Sequence, residues 1–355
     1  MRAEALDLYG AGADAAEEIL RDVYRVDKAL DPLDRNDFMA IVRRLSRALA
    51  GVARPAEDAA LRRAIERLDV DWPNLTPQAR DQVVRAARQS LRTVEDQVLP
   101  QVEQLFEAEA ERVVGRTRRS SVRRFGLRIG ADLSRTDERI AKFVRESQGN
   151  FVRDEYGRRR EEFSRRARDI VAAGVGRGLG RDDIVGELSE VMGREAFDRR
   201  RDYWEVVSTV FTNRARTFTQ MNAYDEAGIE RYRWEAVLDE LSCDRCRFMH
   251  GRTFMVAGAL DRFREVERLR DPEGIRDAQP FIQVGADEDG RRVLFYERGG
   301  RRRAVAQVDD SAEGERDAIG RYARALGSEQ IEAAGLGQPP AHGRCRCLTL
   351  PAQEA

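Results

Sequence analysis

The chain has 355 residues, 36% of them charged, 41% hydrophobic and 7% aromatic; that length holds two or three domains, and the balance favours solvated helices over a compact β or α/β enzyme. Its 63 basic and 64 acidic residues leave a formal net charge of -1, which excludes nucleic-acid binding driven by overall charge. Lys28 and Lys142 are the only lysines, so nearly every cation is an arginine, in keeping with a GC-rich genome.

Arg2, Glu4, Asp7 and Asp14 interrupt any apolar run at the start, and no later run is long enough to span a bilayer. The expectation is a soluble chain made in the cytosol. To about Gly115 the pattern is helical, with apolar residues three and four apart: Ile19, Leu20, Val23, Val26 and Leu30, then Phe38, Ile41, Val42, Leu45 and Leu49. Pro55 suits the first position of a third helix carrying Leu61, Ile65 and Leu68. Thr76 and Pro77 form an N-cap and first-turn pair for a long helix through Val84, Val94, Val102 and Phe106, with a kink expected at Pro100. The apolar stripe reads as bundle core more readily than as a partner-binding face.

Between Gly115 and Gly130, Arg116, Arg118, Arg119, Arg123, Arg124 and Arg128 have almost no acids beside them. Such a patch can touch phosphates; it can equally be a solvated linker or pair with acidic helices. Leu133, Ser134 and Asp137 then read as a staple and capping signature. The run GVGRGLG, 174–180, has neither the Gly-Lys-Ser/Thr ending nor the preceding strand of a phosphate loop, and is read as a helix–turn–helix junction. A further helix covers Arg194–Met221, with Trp204, Val207, Val210, Phe211 and Phe218 on its apolar side.

At Gly228 the period changes from helical to alternating. Tyr232, Trp234, Ala236 and Leu238 predict a strand leading into Cys243 and Cys246, and Thr253–Val256 a return strand, which together make a small zinc-knuckle hairpin. Phe281–Val284, Arg292–Tyr296 and Arg303–Val308 read as a β-meander, followed by helical text over about Ser311–Leu326 and a short stretch ending near Gly335. A last strand, Cys347–Leu350, is expected to pair with the Trp234 strand.

The chemical landmark is Cys-x-x-Cys at Cys243 and Cys246 together with His342, Cys345 and Cys347: all four cysteines and one of two histidines. The spacing suits a tetrahedral zinc; two disulfides, or plain buried thiols, would use the same residues, and a reducing compartment argues for metal. Cys243 and Cys246 supply two ligands, while His342, Cys345 and Cys347 compete for the other two places. A site filled by thiolate and imidazole is a structural clamp, since catalytic zinc keeps a position open for water. His250 has no acid partner nearby and is read as a surface or packing residue. The zinc-deaminase and His-Glu-x-x-His patterns are absent, and no constellation of acids stands out, so no catalytic residue and no small-molecule substrate is expected.

The stretch from Arg214 to Phe254, with GLGRDDIVGEL before it and PPAHGRCRCLTLP at 339–351, resembles the phage Mu F-like head-morphogenesis family of minor capsid proteins. Arg216, Thr217, Trp234, Asp239 and Gly251, with the five candidate ligands, match its signature. Gly343 departs from it, and the insertion between the ligand pairs is longer than usual. The resemblance implies a non-enzymatic protein of the virion, made in the host bacterial cytoplasm and placed inside the head near the portal. Its partners would be portal protein and capsid subunits, with packaged DNA as a further candidate, and its role head assembly and DNA packaging or delivery. Some relatives carry toxin domains after the cysteine motif; the end at Ala355 leads to the expectation of none here.

The expected architecture is mainly α: an elongated helical region over 1–130, a helical part over 131–222, and an α+β zinc-binding domain over 223–355 with the meander inserted at about 257–338. A DNA-binding accessory protein using Arg116, Arg118, Arg119, Arg123 and Arg124 is the alternative, and a toxin-like enzyme a more remote one.

Overall fold

The computed structural model describes residues 30–195 and 200–352; it is mainly helical, with small sheets in its C-terminal part. The expected helix through Ile19, Leu20, Val23 and Val26 lies outside the described residues. By contacts the chain forms two units. One is built from Arg44–Phe106 and Gly149–Trp204, the other from Asp27–Arg43, Glu107–Gln148 and Glu205–Ala355. No helix among the described residues is long and apolar enough to cross a membrane.

The helices α1 (Arg35–Leu68), α2 (Pro77–Phe125) and α3 (Arg135–Gly176) are longer than the apolar pattern alone delimits. Contrary to expectation, Pro55 opens no third helix, since α1 runs through it; α2 continues through Pro100, as the long helix was expected to. Both prolines are exposed, and each leaves the carbonyl four residues earlier, of Gly51 or Asp96, without its N–H donor. The buried stripe continues unbroken past Pro55, from Leu49 and Ala53 to Ala60, Ala64 and Leu68.

In the first unit Leu61, Leu68, Trp72, Val84, Phe163, Val171, Ile184 and Leu188 form one apolar cluster. Gly174 closes it: the helix α4 (Arg181–Glu195) brings Ile184 so near that a Cβ at Gly174 would sit 2.7 Å from Ile184 Cγ1. The GVGRGLG run is the expected junction. Gly178 adopts φ +71° after the end of α3, and the Leu179 N–H returns to the Gly174 carbonyl at 3.0 Å.

The second unit holds the helix α5 (Arg200–Glu226) from Glu205 onward, and both sheets. β1 (Arg231–Glu235) lies between β2 (Thr253–Met255) and β7 (Leu348–Ala352), antiparallel to each, with Trp234 opposite Thr349. The meander is present as β3 (Gln283–Ala286), β4 (Arg292–Arg298), β5 (Arg301–Asp310) and β6 (Arg321–Ala323), in that order in the second sheet. The helix expected over Ser311–Leu326 does not form. Gly314, Asp317, Gly320 and Arg324 all have positive φ, and the segment winds over the Cys243 loop instead. Short helices complete the unit: α6 (Asp244–Met249), α7 (Val256–Val266), α8 (Pro272–Ala278) and α9 (Ser328–Ala333). The turn between β1 and β2 is therefore not a bare knuckle, because α6 occupies it.

Candidate metal centre

The ligand pairs are brought together by β1. At one end of the loop that follows it, Cys243 caps α6, and the amides of Cys246 and Arg247 bond back to the Cys243 carbonyl at 3.0 and 3.1 Å. At the other end Gly251, φ +77°, lets the chain turn so that its N–H reaches the Trp234 carbonyl at 2.9 Å and the β1–β2 pairing resumes. Pairing of β7 with β1 places Cys345 and Cys347 beside this loop, 99 residues beyond Cys246 in the case of Cys345.

The five candidate side chains form two overlapping triads. Cys243, Cys246 and His342 lie within 4.8 Å of one another, as do Cys246, Cys345 and Cys347. His342 Nε2 is 3.2 Å from Cys243 Sγ and 3.1 Å from Cys246 Sγ, and Cys246 Sγ is 3.9 Å from Cys345 Sγ. Zinc bonds of about 2.3 Å to sulfur and about 2.0 Å to nitrogen set ligand–ligand edges of about 3.5–3.8 Å in a tetrahedron. The observed separations bracket that range, and all four cysteines are free thiols. His342 Nδ1 faces the Arg344 N–H at 3.2 Å, which fixes the ring with Nε2 toward the sulfurs.

The chemistry of the thiols fits a divalent cation. Cys243 is held far below the usual thiol range, mainly by its hydrogen bond with Cys246 and then by His342. Cys345 is also lowered, against its burial, by hydrogen bonds from Cys246 and Cys347 and by His342. Cys246 rises because it keeps its proton for Cys243 and its other sulfur neighbours, and Cys347 because it is buried. Four thiols thus compete for ionisation within one cluster. A divalent ion that displaces the remaining protons resolves the conflict. The cluster could hold a metal ion, with Cys243 and Cys246 as two ligands and two more from His342, Cys345 and Cys347.

The surrounding residues hold this arrangement from three sides. Asp239, 3% exposed, takes Arg346 in a two-pronged pair at 2.6 and 2.9 Å and also pairs with Arg35. Arg346 stands between two ligand cysteines, so this pair pins the loop that carries them; its guanidinium in turn holds the Asp239 carboxyl below the usual range. Arg247, fully buried, gives Nε to the Ser242 carbonyl at 3.0 Å and Nη2 to that of Asp239 at 2.8 Å, and also bonds the carbonyls of Glu315 and Ala318. It thereby seals the 311–320 segment over the Cys243 loop. Asp244 accepts from Ser311 Oγ at 2.8 Å and pairs with Arg292 at 2.8 Å. His250 Nδ1 accepts the Ala236 N–H at 3.2 Å and takes no part in either triad, as a packing role requires.

The third side is α5, and its role escaped sequence reasoning. Asn213, Arg216, Gln220 and Tyr224, spaced along one helix face, donate to the carbonyls of Cys345, Cys347 and Thr349. Asn213 Nδ2 reaches Cys345 at 2.8 Å, Gln220 Nε2 and Tyr224 OH reach Thr349 at 2.9 and 3.0 Å, and Arg216 Nη2 bonds Cys347. The helix thus holds the segment that leads into β7 by the carbonyls of Cys345 and Cys347, and β7 itself by that of Thr349. Thr217 Oγ1 donates to Asn213 Oδ1 at 3.1 Å and orients that amide. The available signal was a run of polar residues at helical spacing, Asn213, Arg216, Gln220 and Tyr224, interleaved with the apolar positions Phe211, Ala215 and Phe218. Trp234, fully buried, places its indole beside Cys347.

The arginine patch lies elsewhere in the same unit. It is helical to Phe125 instead of forming a linker. Arg118 is 3% exposed, paired with Asp137 at 2.8 Å and with Glu226 at 2.5 Å. Asn222 joins this network, and Ser134 and Asp137 exchange the expected capping bonds. Arg124 bonds the Leu33 carbonyl and Arg123 lies 3.6 Å from Asp31, both remaining exposed like Arg119, while Arg116 is half-buried. Arg118 is thus a structural cation and not part of a solvent-facing patch.

No family model, no curated protein and no solved structure matches the chain.

Proposed function

We propose that this chain is a non-enzymatic head-morphogenesis protein, a minor capsid component of a tailed phage or prophage. Its C-terminal part would be a zinc-clamped docking module that meets portal or capsid subunits inside the head and assists assembly and DNA packaging or delivery. What supports the reading is the convergence of the resemblance's signature on one place. Arg216 binds the Cys347 carbonyl, Thr217 orients Asn213 toward Cys345, Trp234 lies beside Cys347, Asp239 holds Arg346, and Gly251 closes the loop bearing Cys243 and Cys246. Residues far apart in sequence serve one clamp, and a clamp with all its ligand places filled is suited to presenting a surface, not to turning over a substrate.

The test is made on particles. Heads purified from an induced host should contain the chain, and disrupting its gene should lower the yield of filled heads, with loss rescued by the wild-type chain but not by Cys246→Ser. Absence from purified heads, with normal yield on disruption, would remove the proposal.

A further inference from the structure

The buried face of α5 carries a charge that no acid balances. Arg216 is 1% exposed. Its Nη1 donates to the Pro32 carbonyl at 3.1 Å, its Nη2 to that of Cys347, and its plane lies over the Phe38 ring at 4.2 Å, while Nε has no partner. In this unit Arg118 and Arg346 pair with acids, Asp137 and Glu226 for the first and Asp239 for the second, whereas Arg216, like Arg247, is held by carbonyls. At Arg216 no carboxylate stands within ion-pair distance among the described residues. Its Nη2 bond to the Cys347 carbonyl, beside the Asn213 bond to that of Cys345, sets it against the segment that carries both candidate ligands. An isolated buried cation is costly, by several kcal/mol even after relaxation, so its place beside two thiols asks for an explanation.

The metal site supplies one. Three thiolates and a neutral imidazole around a divalent ion carry one net negative charge, and four thiolates carry two. That excess would sit in a low-dielectric interior, where an uncompensated charge is most unfavourable. We propose that Arg216 is the counter-ion of the metal–thiolate cluster, a positioning residue whose fixed charge stabilises the anionic site from behind β7. The inference rests on the structural-metal reading of the five candidate ligands. It assigns Arg216 a reason to be arginine that its two carbonyl bonds do not, because a neutral amide can serve a carbonyl as well.

The experiment separates charge from hydrogen bonding in the full-length chain. Arg216→Gln keeps a donor for the Cys347 carbonyl without the charge, and Arg216→Lys keeps the charge with altered geometry. Zinc affinity is measured by competition with a chromophoric chelator, with circular dichroism to verify folding. Arg216→Gln should bind zinc about 10- to 100-fold more weakly, the range seen when groups behind metal ligands are removed, and Arg216→Lys should keep most of the affinity. The reverse order, or wild-type affinity in Arg216→Gln, overturns the counter-ion role in favour of a plain carbonyl brace. If Arg216→Gln does not fold, the Lys variant decides: near wild-type affinity supports the proposal, and a loss of about tenfold or more overturns it. A wild-type chain that takes up no zinc removes the metal reading itself, a result distinct from either variant outcome.

Discussion

The two units place their polar groups in opposite ways. In the first, charged residues mostly pair on the outside: Arg153 with Glu103, Arg168 with Asp81, Arg177 with Glu187, Arg181 with Asp69, around an apolar cluster. Buried polar groups occur there too, among them Tyr156, which donates to Glu57 at 2.9 Å. In the second, Arg118, Arg216, Arg247, Asn213, Gln220, Asp239 and Asp244 are all buried. An apolar stripe is satisfied by any neighbour of suitable shape, whereas a buried donor needs one acceptor in one place. The first unit therefore tolerates variation in detail. The second specifies a single geometry, and the candidate metal ligands lie where that specification is densest.

Removing the ion should break this contrast most. Cys246 belongs to both triads, so Cys246→Ser or chelation should cost the second unit on the order of 10 kcal/mol, read as lost amide protection in β1 and β7. Protection in the α4 amides should remain; uniform loss would mean that the units do not differ in what holds them. Next comes Asp239→Ala, which leaves Arg346 unpaired beside the ligands and should cost about 3–5 kcal/mol in denaturant unfolding. The pH dependence has a definite sign. Arg346 holds the folded carboxyl below its ordinary value, so the stabilisation is complete above a pH of about 4 and disappears as pH falls through the folded pKa; Asp239→Asn should lack that acid limb. In the first unit Gly174→Ala should cost about 1–3 kcal/mol by overpacking against Ile184, and Ile184→Val should recover part of it. Arg177→Ala, at an exposed pair with Glu187, should change stability by less than about 1 kcal/mol.

Much of this was legible in the sequence for physical reasons. Helices, the meander and the pairing of the last strand with the Trp234 strand followed from apolar period and turn residues, and the cysteine and histidine spacing marked the ligand set. What escaped required three dimensions. Pro55 looks like a start signal because its ring breaks a hydrogen bond, and only the buried stripe on both sides of it shows that the helix continues. The 311–326 text is helical in composition, but Arg247 binds two of its carbonyls and Asp317 gives its N–H to Leu238, so tertiary bonds override propensity. Pairing of Arg118 with acids is one of the readings the sequence leaves open, and it could not be chosen there because the partners, Asp137 and Glu226, stand 19 and 108 residues away. The α5 ladder was hidden for the same reason: its acceptors are backbone carbonyls, which leave no trace in side-chain identity.

X-ray absorption on protein purified without added metal or oxidant addresses the gathering of both cysteine pairs around one ion most directly. The expected result is about one zinc per chain, with three or four sulfur neighbours at about 2.3 Å. A metal-free chain with four titratable thiols, or zinc bound by two sulfurs only, would contradict it.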